Sequence, residues 1–100
     1  MTLRNLFKRF NRKYFANRLS VSDIRFGKLR GKAYGETSFL LDCDPIITLA
    51  SSLKDQRRFS WMVLLHEMAH VDLGAEAGHG PKFIKRMRKL VEQGAFDSLL

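Results

Sequence analysis

The chain has 100 residues, enough for one small hydrophobic core and too few for two. Apolar residues make up 45% of it, which excludes a disordered chain, and the apolar run at 61–65 is far too short to span a bilayer. Eighteen Lys and Arg against ten Asp and Glu give a net charge of +8, which attracts phosphate and anionic surfaces. We therefore expect a single domain over residues 1–100 and no membrane partner.

The only cysteine is Cys43, which excludes an internal disulfide and a cysteine-based zinc ribbon. We expect it to be a small residue packed near a strand rather than a nucleophile, and a lone thiol fits a reducing compartment. Residues 1–22 contain basic residues and no acid, as transit peptides do, but their helical spacing favours a part of the fold. No long apolar segment precedes a small-residue cleavage site, so we expect a cytoplasmic protein without a secretory signal.

Residues 3–19 carry apolar side chains at helical spacing. The stripe consists of Leu3, Leu6, Phe7, Phe10, Tyr14 and Phe15. The basic residues of this segment lie largely off the stripe, so the pattern predicts an amphipathic helix with one buried and one basic face. Simple solvation explains the basic face as well as phosphate contact does, and both interpretations stay open.

The middle of the chain changes to the two-residue period of β-strands. Candidate strands lie around 24–26, at 37–41 and at 46–49. Glycines and the turn before Pro45 separate them. The short spacing favours antiparallel pairing, because parallel strands need long crossovers. Which strand forms the free edge stays open, with residues 46–50 as one candidate.

Two further helices are predicted in the second half of the chain. The first is opened by Asp55 or one of the serines just before it, runs to Leu73 and ends at Gly74. It is apolar over much of its circumference, which is typical of a central helix. The second begins at Pro81, exposes a row of Lys and Arg, and ends near Gly94. The predicted fold class is α+β, with a small three-stranded antiparallel sheet packed against three helices.

All three histidines of the chain lie between positions 66 and 79. His66 and His70 are four residues apart with Glu67 directly after the first, which is the H-E-x-x-H pattern of zinc hydrolases. Because one helical turn separates the two histidines, both rings leave the same face and can bind one Zn²⁺. Glu67 would lie beside the ion, where it can take a proton from the bound water. The pattern predicts one zinc ion and a catalytic glutamate.

A catalytic zinc takes three protein ligands and keeps one position open. His79, which follows the turn predicted at Gly74, is the first candidate for the third ligand, and Glu76 is its rival. Glu92, near the end of the last helix, is a poor candidate. Tyr34 is a weak candidate for a second donor to the oxyanion, with ordinary packing as its alternative. Histidines and a glutamate on so apolar a helix are costly to bury without a partner, which favours metal binding.

The chain resembles the SprT-like metalloproteases over nearly its whole length. Residues 6–19 look like the family's opening helix with its F-N-x-x-Y/F-F core, and 46–49 with Leu53 look like the strand before the active-site helix. Residues 64–70 resemble L-L-H-E-x-x-H, and 78–83 resemble G-H-G-P-x-F, the most specific of these motifs. The resemblance implies a zincin-like zinc endopeptidase.

By that resemblance the ligands of the zinc ion are His66, His70 and His79, and the catalytic residue is Glu67. The family includes the protease of DNA–protein crosslink repair, so the resemblance also implies DNA-associated protein substrates and a place near the nucleoid. Two departures bear on this: the segment between the last two ligands is short, and no cysteine-rich zinc ribbon for DNA contact follows in the sequence.

The expected partners are a protein or peptide substrate and DNA. Without a ribbon, DNA contact would rest on the basic faces of the first and last helices, through salt-sensitive phosphate contacts that read no sequence. The alternative function is a small basic nucleic-acid-binding protein with a structural or non-catalytic zinc. A closed fourth ligand would support it, and the sequence offers no good one.

Overall fold

The computed structural model describes residues 2–97 of the chain. Its elements are α1 (Leu3–Tyr14), β1 (Asp23–Gly27), β2 (Gly35–Ser38), β3 (Ile46–Ala50), a 3₁₀ turn (Ser51–Asp55), α2 (Arg57–Leu73) and α3 (Pro81–Glu92). Three α-helices and a three-stranded sheet within these residues confirm the predicted α+β class. No helix among them is long and apolar enough to cross a membrane.

The sheet has the strand order β1-β3-β2, and its pairing is mixed. β3 runs parallel to β1, with Asp23 opposite Ile46, and antiparallel to β2, with Thr37 opposite Ile47. The predicted all-antiparallel sheet is therefore wrong, because the long connection that contains β2 serves as the crossover that parallel pairing requires. The candidate free edge at 46–50 is wrong as well, since β3 is the central strand.

The first helix is shorter than predicted, because it ends at Tyr14 instead of continuing to Leu19. Ala16 and Asn17 take positive φ values of 52° and 59°, which no α-helix accommodates. The buried side chain of Asn11 then holds the returning chain: it donates to the carbonyl of Leu19 at 3.0 Å and accepts from its amide at 3.1 Å. These two hydrogen bonds to the side chain of Asn11 take the place of the backbone hydrogen bonds that a longer helix would make.

The central helix α2 begins at Arg57, two residues after the predicted Asp55, because the preceding residues form the separate 3₁₀ turn. It ends where predicted, at Gly74, which has a φ of 86° and donates its amide to the carbonyl of His70 at 2.9 Å. Four of its side chains are completely buried: Leu64, Leu65, Met68 and Ala69. The prediction of a central, mostly buried helix is confirmed.

The last helix, α3, starts at Pro81 as predicted and is followed by Gly94 at a φ of 80°. After that turn the amide of Ala95 donates to the carbonyl of Leu90 at 3.0 Å. The chain thereby folds back on the helix and buries Phe96 against the core. The residues after α3 thus contribute apolar side chains to the hydrophobic core.

A buried carboxylate ties the three helices together. Asp72 on α2 accepts hydrogen bonds from Arg86 Nε on α3 at 2.8 Å and from Arg18 Nη1 at 2.7 Å. Arg86 also donates from Nη2 to the carbonyl of Tyr14 at 2.9 Å, and its guanidinium lies 4.5 Å from the ring of Phe15. Burial alone would raise the pKa of Asp72, but the two arginines outweigh it and hold that pKa below its ordinary value.

Cys43 is exposed in the turn that leads into β3. The expectation that it packs as a small residue near a strand is therefore wrong. Its neighbours Asp42 and Asp44 are exposed as well, as is usual for residues in a surface loop.

Candidate metal centre

The fold brings the three histidines together at one point. His66 and His70 leave α2 one turn apart, and the loop after the helix carries His79 back against both. Nε2 of His79 lies 3.1 Å from Nε2 of His70 and 3.3 Å from Nε2 of His66. One ring nitrogen from each histidine lies within 4.8 Å of the others, so this group could hold a metal ion.

Two glycines shape the loop that delivers His79. Gly74 and Gly78 have φ values of 86° and 52°, in the left-handed region that L side chains rarely adopt. Weak backbone hydrogen bonds close the turns between them, from Ala77 to Gly74 at 3.4 Å and from Gly80 to Ala77 at 3.3 Å. A loop this short can therefore reverse the chain and start α3 directly after the third histidine.

The ring of Phe83 packs against all three imidazoles. Its centroid lies 4.4 Å from that of His70, in a stacked arrangement, 4.9 Å from that of His66 and 5.0 Å from that of His79. Phe83 is buried, so it forms an apolar support for the cluster from the first turn of α3. The sequence did not identify Phe83 as a site residue, although its place in the G-H-G-P-x-F motif was a signal of this role.

Burial and mutual repulsion favour the neutral form of the two histidines on α2. Burial first, and then repulsion from the neighbouring His66 and His79, lower the pKa of His70 to about 4. The pKa of His66 is lowered by burial and then by His79. Neutral imidazoles offer lone pairs to a metal ion, so three converging ring nitrogens fit a nitrogen-binding divalent metal such as zinc.

Glu67 is 5% exposed and lies beside the cluster, not in it. Its Oε2 is 4.0 Å from Nε2 of His66, while its Oε1 accepts a 2.7 Å hydrogen bond from Thr37 Oγ1 on β2. Burial raises the pKa of Glu67, the bond from Thr37 opposes that shift, and the charge of Glu36 adds to it. The arrangement leaves one carboxylate oxygen fixed and the other turned toward the histidines.

The backbone of β2 passes directly over this carboxylate. A Cβ atom at Gly35 would lie 2.9 Å from Oε2 of Glu67 and 2.6 Å from Cγ1 of Val63, closer than side chains pack. Only glycine allows the strand to approach α2 at this point. Neither Thr37 nor Gly35 was identified as a site residue from the sequence, because their contact with Glu67 depends on where β2 lies.

The rival ligands do not join the cluster. Among residues 2–97, the three histidines are the only group of three or more His, Cys, Asp or Glu whose ligand atoms converge. Glu76 is exposed in the loop, and Glu92 is exposed in the last turn of α3. The geometry therefore groups His79, and neither glutamate, with His66 and His70.

A comparison with known protein families gives a result that agrees with this arrangement of three histidines. A sequence profile described as the SprT-like family matches residues 3–98. The chain belongs to the SprT-like family. The match covers α1, the sheet and both helices that carry or follow the histidines, and it confirms the resemblance seen in the sequence motifs. A comparison with curated proteins found no match.

A cleft of about 350 Å³ opens in front of the histidines of this SprT-like protein. Its walls are β2 and the loop between α2 and α3, with Glu36, Thr37 and Phe39 on the strand side. Within the described chain β2 pairs only with β3, so its other edge is free to pair. The edge strand near the site is thus β2.

Tyr34 lies just before β2 and is 52% exposed. Its ring packs on Phe59 of α2, with the centroids 4.8 Å apart. This contact agrees with the packing alternative for Tyr34. The residue lines a second, apolar pocket next to His66 and Glu67 and not the cleft in front of the histidines.

Proposed function

We propose that this SprT-like protein is a zinc-dependent endopeptidase of the zincin type. His66, His70 and His79 would hold one zinc ion, and Glu67 would act as the catalytic base. The observation that carries the proposal is the convergence of three imidazole nitrogens beside a buried carboxylate. When bound, the zinc ion would supply an electrophile for the scissile carbonyl and lower the pKa of a bound water to about 7.

The protein's own contribution to catalysis is to hold and move a proton at Glu67. Thr37 fixes Oε1, so Oε2 is the oxygen that can take a proton from the attacking water and pass it to the leaving amine. Burial supports this role because it raises the pKa of Glu67 toward the working pH. Glu67 is 5% exposed, so bulk water screens its interactions less than it would at the surface.

The free edge of β2 supports an extended peptide as the substrate. A peptide that adds to this edge would run along the cleft, in front of the histidines, and gain backbone hydrogen bonds whatever its sequence. β2 thereby takes the part that the sequence had assigned to residues 46–50. Its contact with Glu67 through Thr37 would couple substrate pairing to the position of the base.

DNA-associated proteins are the substrate class that the basic surface supports. Exposed basic side chains occupy the outer faces of both terminal helices: Arg4, Lys8, Arg9, Arg12 and Lys13 on α1, and Lys82, Lys85, Arg88 and Lys89 on α3. With a net charge of +8, they favour non-specific, salt-sensitive phosphate contact. Such a substrate implies a cytoplasmic location beside the nucleoid.

The same charge favours the alternative, a nucleic-acid-binding protein whose zinc is structural. A structural zinc takes four protein ligands as a rule, and only three candidate ligands converge among residues 2–97. The cleft in front of the histidines also leaves room for a substrate. Both observations favour the enzyme.

The decisive experiment separates metal binding from cleavage. Glu67→Gln should retain zinc, measured by elemental analysis, and lose cleavage of a denatured protein such as casein. His79→Ala should lose both. Equal cleavage by the Glu67→Gln variant and the wild type would refute the catalytic assignment. A wild-type protein that binds zinc and DNA but cleaves nothing would favour the alternative.

A further inference from the structure

An apolar pocket of about 360 Å³ adjoins the metal centre. Besides Gly35, His66 and Glu67, it is lined by Tyr34, Phe59, Met62, Val63, Met87 and Phe96. The three residues named first also line the cleft in front of the histidines, so the two spaces adjoin at the site. The proposed chemistry makes no use of the other six.

Each wall of the pocket comes from a different part of the fold. The ring of Phe59 on α2 packs against Tyr34, with centroids 4.8 Å apart, and these two form one wall. Met87 of α3 is half-buried, and the turn after that helix brings in Phe96. Apart from His66 and Glu67, the lining includes no residue that carries a charge. A charged side chain packed against the other residues of the lining would therefore lose hydration without gaining a charged partner there.

The position of the pocket beside His66 and Glu67 indicates which part of a substrate would bind in it. Since His66 and Glu67 stand at its border, a group inside it lies next to the atoms that would handle the scissile bond. Its volume is at the lower end of the range for small-molecule sites, about 300–1,000 Å³, so it suits one large side chain. Apart from Phe39, the cleft around the histidines is instead lined by small and polar residues, including Glu36, Thr37 and Gly78.

We infer that this pocket selects a large apolar side chain on one side of the scissile bond, with Met87 as a residue that determines specificity. The inference rests on the proposed endopeptidase function and names the class of sequence that it cuts. Leu, Met or Phe at that position should be favoured over Ala by at least about tenfold in kcat/KM, because each buried methylene adds discrimination. Glu should be rejected there, because Glu67 also lines the pocket.

Cleavage-site mapping on a peptide library tests the preference. In the wild type, large apolar residues should be enriched at one of the two positions that flank the cut and not at the other. Met87→Trp fills the pocket and should shift the preference to Ala and Gly. Ile84→Trp is the matched control: it adds the same side chain one turn earlier on α3, at a residue that is 54% exposed and outside the pocket, and should leave the preference unchanged.

A binding measurement tests the pocket without cleavage. Calorimetry on the zinc-loaded protein would compare two peptide hydroxamates that differ only in the side chain beside the metal-binding group, benzyl or methyl. The benzyl compound should bind at least about tenfold more tightly. Met87→Trp should abolish the difference, and Phe59→Ala, which removes a wall at a partly exposed position, should reduce it. Circular dichroism would confirm that each variant is folded.

The outcomes separate this inference from the proposed function. Cleavage without a flanking preference, or with one that Met87→Trp leaves unchanged, would overturn the inference and leave the endopeptidase standing. Equal affinity for the two hydroxamates would overturn it as well. A benzyl preference in a protein that cleaves no peptide would support the pocket and count against the endopeptidase.

Discussion

Thr37 Oγ1 donates a 2.7 Å hydrogen bond to Oε1 of Glu67 and so links the edge strand β2 to the helix that carries the H-E-x-x-H motif. The bond decides which carboxylate oxygen faces the histidines. It also joins the strand that we propose to bind substrate to the residue that we propose as base. A single hydroxyl thus connects the two parts of the site.

Removing the Thr37 hydroxyl should lower the rate of cleavage and have only a small effect on the free energy of unfolding. In Thr37→Val the carboxylate loses its partner and can rotate, and we expect kcat to fall by roughly ten- to a hundredfold, as is typical when outer-shell partners are lost. Zinc content should stay unchanged. Thr37→Ser keeps the hydroxyl and is the control, so similar losses in the two variants would show that the hydrogen bond is not responsible.

A methyl group at Gly35 should disturb the same contact sterically. The added Cβ would lie 2.6 Å from Val63 Cγ1 and 2.9 Å from Glu67 Oε2, so strand and helix must separate. We expect Gly35→Ala to lower the free energy of unfolding by about 1–3 kcal/mol. Gly80→Ala is the matched control, because the nearest atom to its Cβ is 3.5 Å away and its φ of −72° is ordinary. Chemical denaturation of both variants measures the difference.

The buried ion pair between Asp72 and Arg86 should matter far more than the exposed one to Arg18. The side chains of Asp72 and Arg86 are 8% and 10% exposed, whereas that of Arg18 is 57% exposed. Arg86→Ala removes the buried partner of the Asp72 carboxylate, leaves it only the exposed Arg18, and should cost about 3–5 kcal/mol. Arg18→Ala should cost about 1 kcal/mol or less, because solvent screens the pair. Equal costs in urea denaturation would contradict this ranking.

The same carboxylate should contribute to the acid sensitivity of the fold. The pKa of Asp72 is lowered from its ordinary value of 3.8, so the folded state holds this proton less tightly than the unfolded state. Its stabilising contribution is complete above that ordinary value and is lost as the pH falls through the lower, folded-state pKa. The difference in free energy of unfolding between the wild type and Asp72→Asn should therefore shrink below about pH 4. A difference that stays constant from pH 7 to pH 3 would contradict the assignment.

The elements that the sequence predicted well are those whose boundaries have local causes. Gly74 ends α2 because it takes a left-handed conformation, and Pro81 starts α3 because its missing amide is not needed there. The pairing of β3 with β1 could not be predicted in this way, because it depends on contacts between distant parts of the chain. Strand period identifies strands but says nothing of their partners.

The residues of the site show the same difference between features with local causes and features that depend on tertiary contacts. His66, Glu67 and His70 could be read from their spacing on one helix, and His79 was assigned through a family motif. Thr37 could not be found, because its role follows from the position of β2 at the edge of a mixed sheet. Such supporting residues lie far from the motif in sequence and reach it only through tertiary packing.

The backbone at Gly78 should control the position of the third histidine. No atom lies within 4 Å of a Cβ built at this residue, so a side chain meets no clash, and only the φ of 52° is unfavourable. Gly78→Ala should therefore cost about 1–2 kcal/mol of loop strain. If the loop relaxes to relieve it, His79 moves away from His66 and His70, and zinc affinity should fall by roughly tenfold.

Gly78→Asn separates conformation from side-chain size. Asn is larger than Ala but tolerates left-handed backbone, so it should retain more zinc affinity than Ala does. Competition with a chromophoric chelator would give the affinities of the wild type and both variants. Because His79 lies next to Gly78, the ranking wild type, Asn, Ala would identify backbone conformation as the property that holds the ligand. If the Gly78→Asn variant bound zinc more weakly than the Gly78→Ala variant, side-chain size and not backbone conformation would be the cause.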